Sequence, residues 1–314
     1  MSMPTGLDVQ AVDPVLTNLL VGYMQNDSRF VADRVFPGIS VDKDSGTYYI
    51  MTKKYFFSDD LAPRAYGEQF PIADFNVSST TYTTAQFALG KRIADEVRAN
   101  SQLPLDLETA TVQWLAQKAL IRKERGFASD FVKASVWATD ATPTDWDDYT
   151  SGDPITDILT GNLTISHSTG YYPNTLVLGL IVHNALVNHP DLIDRLKYVA
   201  VAGVNQMEAA MGNVLGIENY LVSKASYNSA NIGQTGTNVA IIDDDAVLMY
   251  VTPTPGIMTA SAGYTFNWAP GGGLGSILPM HRDGENQADL IRVKMQIDQK
   301  AVATDCGYTF IDIV

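Results

Sequence analysis

Two segments rich in Tyr, Phe, Thr and Val, "GTYYIMTKKYFF" (46–57) and "ADFNVSSTTYTTAQFAL" (73–89), favour strands. The link between them, "SDDLAPRAYGEQFPI", contains two prolines and a glycine and reads as a long open loop. Together they predict a two-stranded ribbon. Such a ribbon is marginal in water by itself, and this one is polar on both faces from Ser78 to Thr84. It must dock on another surface, and no other segment of the chain plainly supplies one.

A chain of 314 residues is long enough for one large domain or two ordinary ones. Only 18% of its residues are charged, against about 25% in a typical soluble domain, which fits a surface spent on contacts with partners. The formal net charge of −14 repels a nucleic-acid backbone and argues against tight direct binding, although not against enclosing nucleic acid. The single cysteine, Cys306, excludes an intrachain disulfide, and no Cys/His cluster has zinc spacing. "MSMPTGLDVQ" lacks the basic and apolar regions of a secretory signal. The best apolar run, Leu176 to Val182, ends at His183 and Asn184, so a soluble cytoplasmic chain is expected.

The first forty residues carry "PVLTNLLVGY" (14–23) and "DSRFVADRVFP" (27–37), where Phe30, Val31, Val35 and Phe36 are apolar. That is too little for a core and reads as an arm lying on something else. A long helix is expected from Asp106 to about Phe131, approached by Pro104, with Asp106 and Glu108 at the end where the helix dipole favours anions. Val112, Leu115, Ala119 and Leu120 recur at helical spacing with Trp114 beside them, and Lys118, Arg122, Lys123 and Arg125 load the later half with cations. Gly126 is expected to bend the helix or end it early.

"TDATPTDWDDYTSGDP" (139–154) reads as a linker and "ITDILTGNLTI" as a short helix. Residues 171–174 read as a turn and Thr175 to Val182 as a buried strand, with His183 and Asn184 leading into a helix that holds Leu186, Leu192, Ile193 and Leu196. "QMEAAMGNVLG" (206–216) is a helix stopped by Gly216. Strands are expected at Tyr220–Ser223 and Ala246–Val251. In "IRVKMQID" (291–298) Val293, Met295 and Ile297 alternate with Arg292, Lys294 and Gln296, and "GYTFIDIV" supplies a more buried final strand. Without internal repeats or regular βαβ alternation, the order argues for an α+β fold.

A search for chemistry finds little. There is no G-x-S-x-G elbow, and His167, His183, His189 and His281 have no nucleophile motif nearby. His183 and His189 are six residues apart, not the four that places two ligands on one helical face. Asp243, Asp244 and Asp245 are adjacent, so they point in different directions, and they read as a solvated turn. "GGGLGS" within 269–276 lacks the Lys-Ser/Thr of a phosphate loop and reads as a flexible loop. Asp191 and Asp194 near a helix start, Pro190 in its first turn, and Arg195 with Lys197 nearer its end satisfy helix rules without a reaction. No catalytic, cofactor-binding or metal residue is assigned, and no enzyme activity or cofactor is expected.

"YYPNTLVLGLIVHNALVNHPDLIDRLKY", "VADRVFPGISV" and "RIADEVRANSQLPLDLETAT" resemble segments of one branch of the major capsid proteins of tailed bacteriophages, the Hong Kong 97 fold. The resemblance runs in order from about residue 14 to 314. It implies an N-terminal arm (1–45), an extended β-hairpin loop (46–90), a peripheral domain with a spine helix (91–175), an axial domain (176–285) and returning peripheral strands (286–314). It places glycine-rich 269–276 in the axial domain. The implied function is self-assembly, through pentamers and hexamers, into an icosahedral shell around packaged double-stranded DNA. The shell would form in the host bacterial cytoplasm and become the virion capsid. The short arm implies a separate scaffolding protein, and a portal and a decoration protein are further implied partners. Lys53 and Lys54 lie where some relatives cross-link, but no complete motif matches. Two rivals stand beside this reading. One is an encapsulin-type nanocompartment shell, and the other an acidic metal-dependent hydrolase using Asp243–Asp245.

Overall fold

The computed structural model describes residues 28–51, 57–61, 63–70, 72, 74, 77–99, 107–197, 204–231, 233–256 and 259–314. The stretch 14–23, Lys53, Lys54, Pro104 and Asp106 lie outside the described residues. The first described apolar segment is already committed to the core. It forms one helical turn, α1 (Ala32–Val35), and Val31, Val35 and Phe36 are buried. Phe36 meets Phe127 and Phe131 edge-on at 5.2 and 4.8 Å between ring centroids. This part of the arm therefore lies on its own chain.

The elements that follow are β1 (Gly38–Val41), β2 (Ser45–Met51), β3 (Val77–Thr83), β4 (Ala85–Ala94), α2 (Asp95–Ala99), α3 (Leu107–Phe131) and β5 (Thr139–Ala141). Then come α4 (Pro154–Thr169), β6 (Thr175–Gly179), α5 (Leu180–Asn188), α6 (Pro190–Leu196), α7 (Val204–Leu215), β7 (Asn219–Ser223), β8 (Ser226–Asn228) and β9 (Asn238–Ala240). The chain ends with β10 (Ala246–Met249), β11 (Gly263–Trp268), β12 (Ser276–Asp283), β13 (Ala288–Ala301) and β14 (Gly307–Phe310).

One mixed sheet runs β5-β14-β10-β6-β7. Its inner strands β6 and β10 are buried on both faces, so their sequences read as continuous apolar runs instead of alternating ones. Leu176, Leu178, Leu248 and Phe310 join Trp146, Ile158, Ile165, Leu186 and Met211 in one cluster. The intervening Val177, Val247 and Met249 join Phe36, Phe127, Phe131 and Trp137 in another. The expected strand 175–182 stops at Gly179, where the chain turns into α5. A short apolar run does not distinguish strand from helix by periodicity. At Gly179 the backbone of Asp243 comes so close that a Cβ would sit 2.0 Å from its carbonyl oxygen.

The single helix expected after His183 is two helices. His189 takes an extended conformation between α5 and α6, and Pro190 opens the second. The supposed linker at 139–154 is also structured. Residues 139–141 pair in parallel with β14, and Trp146 is fully buried against Phe310. At 153, by contrast, the punctuation is local: the Asp153 carboxylate accepts from Thr156 N–H at 3.0 Å and caps α4.

The other large sheet is built on β13. One of its edges pairs with β4 through Ala288↔Ala94 to Ile297↔Ala85, and its other edge is shared by β12 and β11. β1 adds in parallel to β11. Residues 85–94 therefore belong to this sheet and not to the ribbon, which consists of β2 and β3 alone. Strand pairing also crosses the sequence boundary at 285/286, because β12 and β13 form one hairpin there. The glycine-rich segment is packed, not a loose loop. Ala269–Gly271 form a 3-10 turn against β13, and at Gly272 (φ 118°) a Cβ would lie 2.8 Å from Lys294.

α3 joins the two sheets. Val112, Leu115 and Ala116 pack with Ile277, Ile291 and Val293 of the β13 sheet. Phe127 and Phe131 pack with the face of the other sheet that carries Val177 and Val247. Its 25 residues make a rod of roughly 37 Å. Gly126 does not end it, because a helix-propensity loss of about 1 kcal/mol is small beside the packing of Phe127 and Phe131. Lys123, read from sequence as a cation of the helix end, is buried and paired with Asp33.

Beside Lys123, Glu124 is fully buried. It accepts N–H groups from Val31 at 3.1 Å and Ala32 at 2.9 Å, and the Ser223 hydroxyl lies 3.1 Å away. Burial outweighs these hydrogen bonds and raises its pKa from 4.5 to about 7. Between those values the unfolded chain ionises Glu124 while the fold keeps it neutral, so stability falls as pH rises through the window. The complete effect is about 3 kcal/mol. Urea midpoints near pH 5 and near pH 8 should therefore drop in the wild-type chain and drop less in Glu124→Gln. An equal drop in both would remove Glu124 as the cause.

Candidate assembly surfaces

The residues singled out for chemistry occupy structural positions. His183 is buried, its Nδ1 lies 2.9 Å from the Tyr220 hydroxyl, and burial lowers its pKa. His189 is buried at the α5–α6 break, where its Nδ1 accepts from Asp191 N–H at 3.4 Å. Asp191 falls in the first turn of α6, Arg195 in its last, and Asp194 pairs with Lys197 on the surface. Asp245 accepts from Asp312 N–H at 3.0 Å, and partial burial raises its pKa. Asp244 offers its backbone carbonyl to Ile313 N–H. Among the described residues no three His, Cys, Asp or Glu side chains are grouped to hold a metal ion. No helix among them is long and apolar enough to cross a membrane.

What the structure brings together is the foot of the ribbon. Tyr82 of β3 stacks on Phe266 of β11 at 4.7 Å and 13°, and Tyr48 of β2 lies 5.3 Å from the same ring. Thr83 N–H donates to Asp298, and Gln296 donates to the Thr84 hydroxyl at 3.0 Å. So the ribbon does have a home surface, which the polar reading of 78–84 missed. Tyr82 alone carried the signal there, and its partner lies 184 residues further along the chain.

Beyond the foot, the loop carries large apolar side chains that the described residues leave mostly exposed. Phe57 is 64% exposed, Leu61 94%, Tyr66 106%, Phe70 73% and Ile72 90%. The loop is nonetheless organised. Arg64 lies 3.9 Å over the Phe70 ring and donates to the Glu68 carbonyl, while Gly67 (φ 90°) supplies the positive φ in the turn after Tyr66. A large exposed apolar group of this kind marks a contact surface. Scattered apolar residues between prolines have no period, so sequence inspection missed these five side chains.

A second surface feature is ionic. At the end of the β12–β13 hairpin, Arg282 pairs with Asp95 and Asp289, Arg98 with Asp289 and Glu108, and Arg92 with Asp283. Hydrogen bonds from Arg282 and Arg98 hold Asp95 and Asp289, respectively, below the ordinary carboxylate range. The network ties α2 to the hairpin. Its three arginines are exposed, so salt weakens it.

No family model matches the chain. The curated "Major capsid protein" of Burkholderia phage BcepMu is 26% identical over 225 residues, covering 70% of this chain and 71% of that protein. A crystal structure of a phage-related protein from Bordetella bronchiseptica matches at a TM-score of 0.76 and 20% identity, covering 97% of this chain and 98% of that one. The capsid structure of cyanophage P-SCSP1u matches at a TM-score of 0.58 and 13% identity, covering 88% and 85%. The chain has the phage capsid fold.

The capsid fold here is α+β, and its elements account for the sequence resemblance. The segment similar to tailed-phage capsid proteins at 171–198 spans β6, the sheet strand buried on both faces, and the two helices after it. The stack of Tyr82 on Phe266 is the chain's own hold on the ribbon. Tyr82→Ala should speed backbone hydrogen exchange in β2 and β3 by about tenfold and leave β10 and β14 unchanged. Equal protection in β2 and β3 would show that the stack does not hold the foot.

Proposed function

We propose that this chain is a phage major capsid protein. Its subunits form pentamers and hexamers that tile an icosahedral shell around packaged double-stranded DNA. The observation that carries the proposal is the ribbon: its foot is pinned to the subunit, while its outer loop holds five large apolar side chains in water. A monomer has no use for such a loop, whereas a neighbouring subunit buries it. Contacts of modest strength add up in a closed shell because each subunit touches several others. The capsid fold and the BcepMu relative support the same reading.

In this reading residues 46–83 are the extended loop lying across the neighbour, and α3 is the spine of the subunit. A separate scaffolding protein, a portal and a decoration protein are the proposed partners, and the host cytoplasm is the proposed place of assembly. The DNA is enclosed without sequence-specific binding. The role is structural.

The chain, co-expressed with a scaffolding partner, should give closed shells in negative-stain microscopy, and a stable monomer or dimer would overturn the capsid reading. Deleting residues 58–70 should leave a folded subunit, judged by a cooperative unfolding transition, that forms no shells. Normal shells from the deletion would overturn the role given to the loop. Nucleic acid inside wild-type shells is the expected content, and cargo protein in its place would favour a nanocompartment.

A further inference from the structure

On α3, Trp114, Lys118, Arg122 and Arg125 are spaced by four, four and three residues, which places them on one exposed face. β4 lies alongside and adds Phe87 and Lys91. Each cation on this face sits over a ring. Lys91 and Lys118 both lie 5.9 Å from the Trp114 centroid, Arg122 lies 4.5 Å from Phe87, and Arg125 lies 4.2 Å from Tyr227 of β8.

None of these four cations has a carboxylate partner among the described residues, whereas Arg92, Arg98, Lys123, Lys197, Lys224, Arg282 and Lys300 all do. The acids of α3 do not neutralise the face. Glu108 pairs with Arg98, Glu124 is buried, and Asp130 lies near the far end beside Ser129. In a chain of net charge −14, this is a local reversal of sign.

The rings hold the cations in place, so little order remains to be lost when a polyanion binds. Charge interrupts the apolar surface that remains on this face, where Trp114 is 42% exposed, so it is not the continuous apolar seam that an acidic helix would need. Cations on α3 spread over about 10 Å suit a ligand whose charge repeats along its length. We propose that this face contacts the phosphate backbone of double-stranded DNA without reading its sequence and lines the interior of the shell. The inference rests on the capsid reading. It also locates attraction on a surface whose overall charge repels DNA, so the contact is salt-sensitive and permits the genome to move.

The test titrates the unassembled full-length chain into fluorescein-labelled duplex DNA and follows anisotropy over about 25 to 200 mM salt. Four phosphate contacts predict a slope of log K against log salt of about −3 to −4. The variant Lys91→Gln, Lys118→Gln, Arg122→Gln, Arg125→Gln should flatten it nearly to zero, while Arg122→Lys with Arg125→Lys should keep it. An unchanged slope in the glutamine variant overturns the proposal. So does a lack of binding at low salt, or tighter binding to a polyglutamate peptide than to DNA. Shell formation by the wild-type chain is scored separately in negative stain. Closed shells from a chain that does not bind DNA overturn this inference alone, and failure to form shells overturns the capsid reading beneath it.

Discussion

Helix α3 is the member on which both sheets depend. Its first half buries Val112, Leu115 and Ala116 against β13, and its last turns bury Phe127 and Phe131 between Phe36 and the second sheet. Between these apolar ends lie Lys123 and Glu124, both buried and both committed to the segment around α1. One rod thus sets the spacing of two sheets and fixes where the arm enters. Because a buried carboxylate is disfavoured when charged, that junction is also where the monomer is sensitive to pH.

The ribbon shows how a subunit can hold an element rigidly at one end and leave it available at the other. The aromatic stack at the foot and the hydrogen bonds to Asp298 and Gln296 orient it. The described residues leave Leu61, Tyr66 and Ile72 almost fully exposed. A two-stranded ribbon would not be stable in water without such a foot. In the proposed shell such a foot would preorganise the loop, so less order would remain to be lost when a neighbour covers it.

Charge is distributed on the same principle of local commitment. Acids and arginines at the β12–β13 hairpin neutralise one another, while the face of α3 leaves its cations on aromatic rings with no acid partner among the described residues. Net charge alone argues for repulsion of a polyanion. It says nothing about where the sign reverses, because that depends on which side chains the helix and β4 turn toward the same solvent.

The sequence by itself determined the elements whose signals are local. The helix from 107 to 131 has apolar residues at helical spacing, Gly216 supplies the positive φ that ends α7, and β13 and β14 announce themselves by Val293, Met295, Ile297 and "GYTFIDIV". It also carried the resemblance to capsid proteins. The break of the apolar run at Gly179, the burial of Trp146 in an apparent linker, the inward turn of Lys123 and the home of Tyr82 were decided only by tertiary structure. Each depends on a partner far along the chain: Asp243 for Gly179, Phe310 for Trp146, Asp33 for Lys123 and Phe266 for Tyr82. Periodicity and capping act over a few residues, so they specify an element. Which face of it meets which neighbour is settled when distant segments pack.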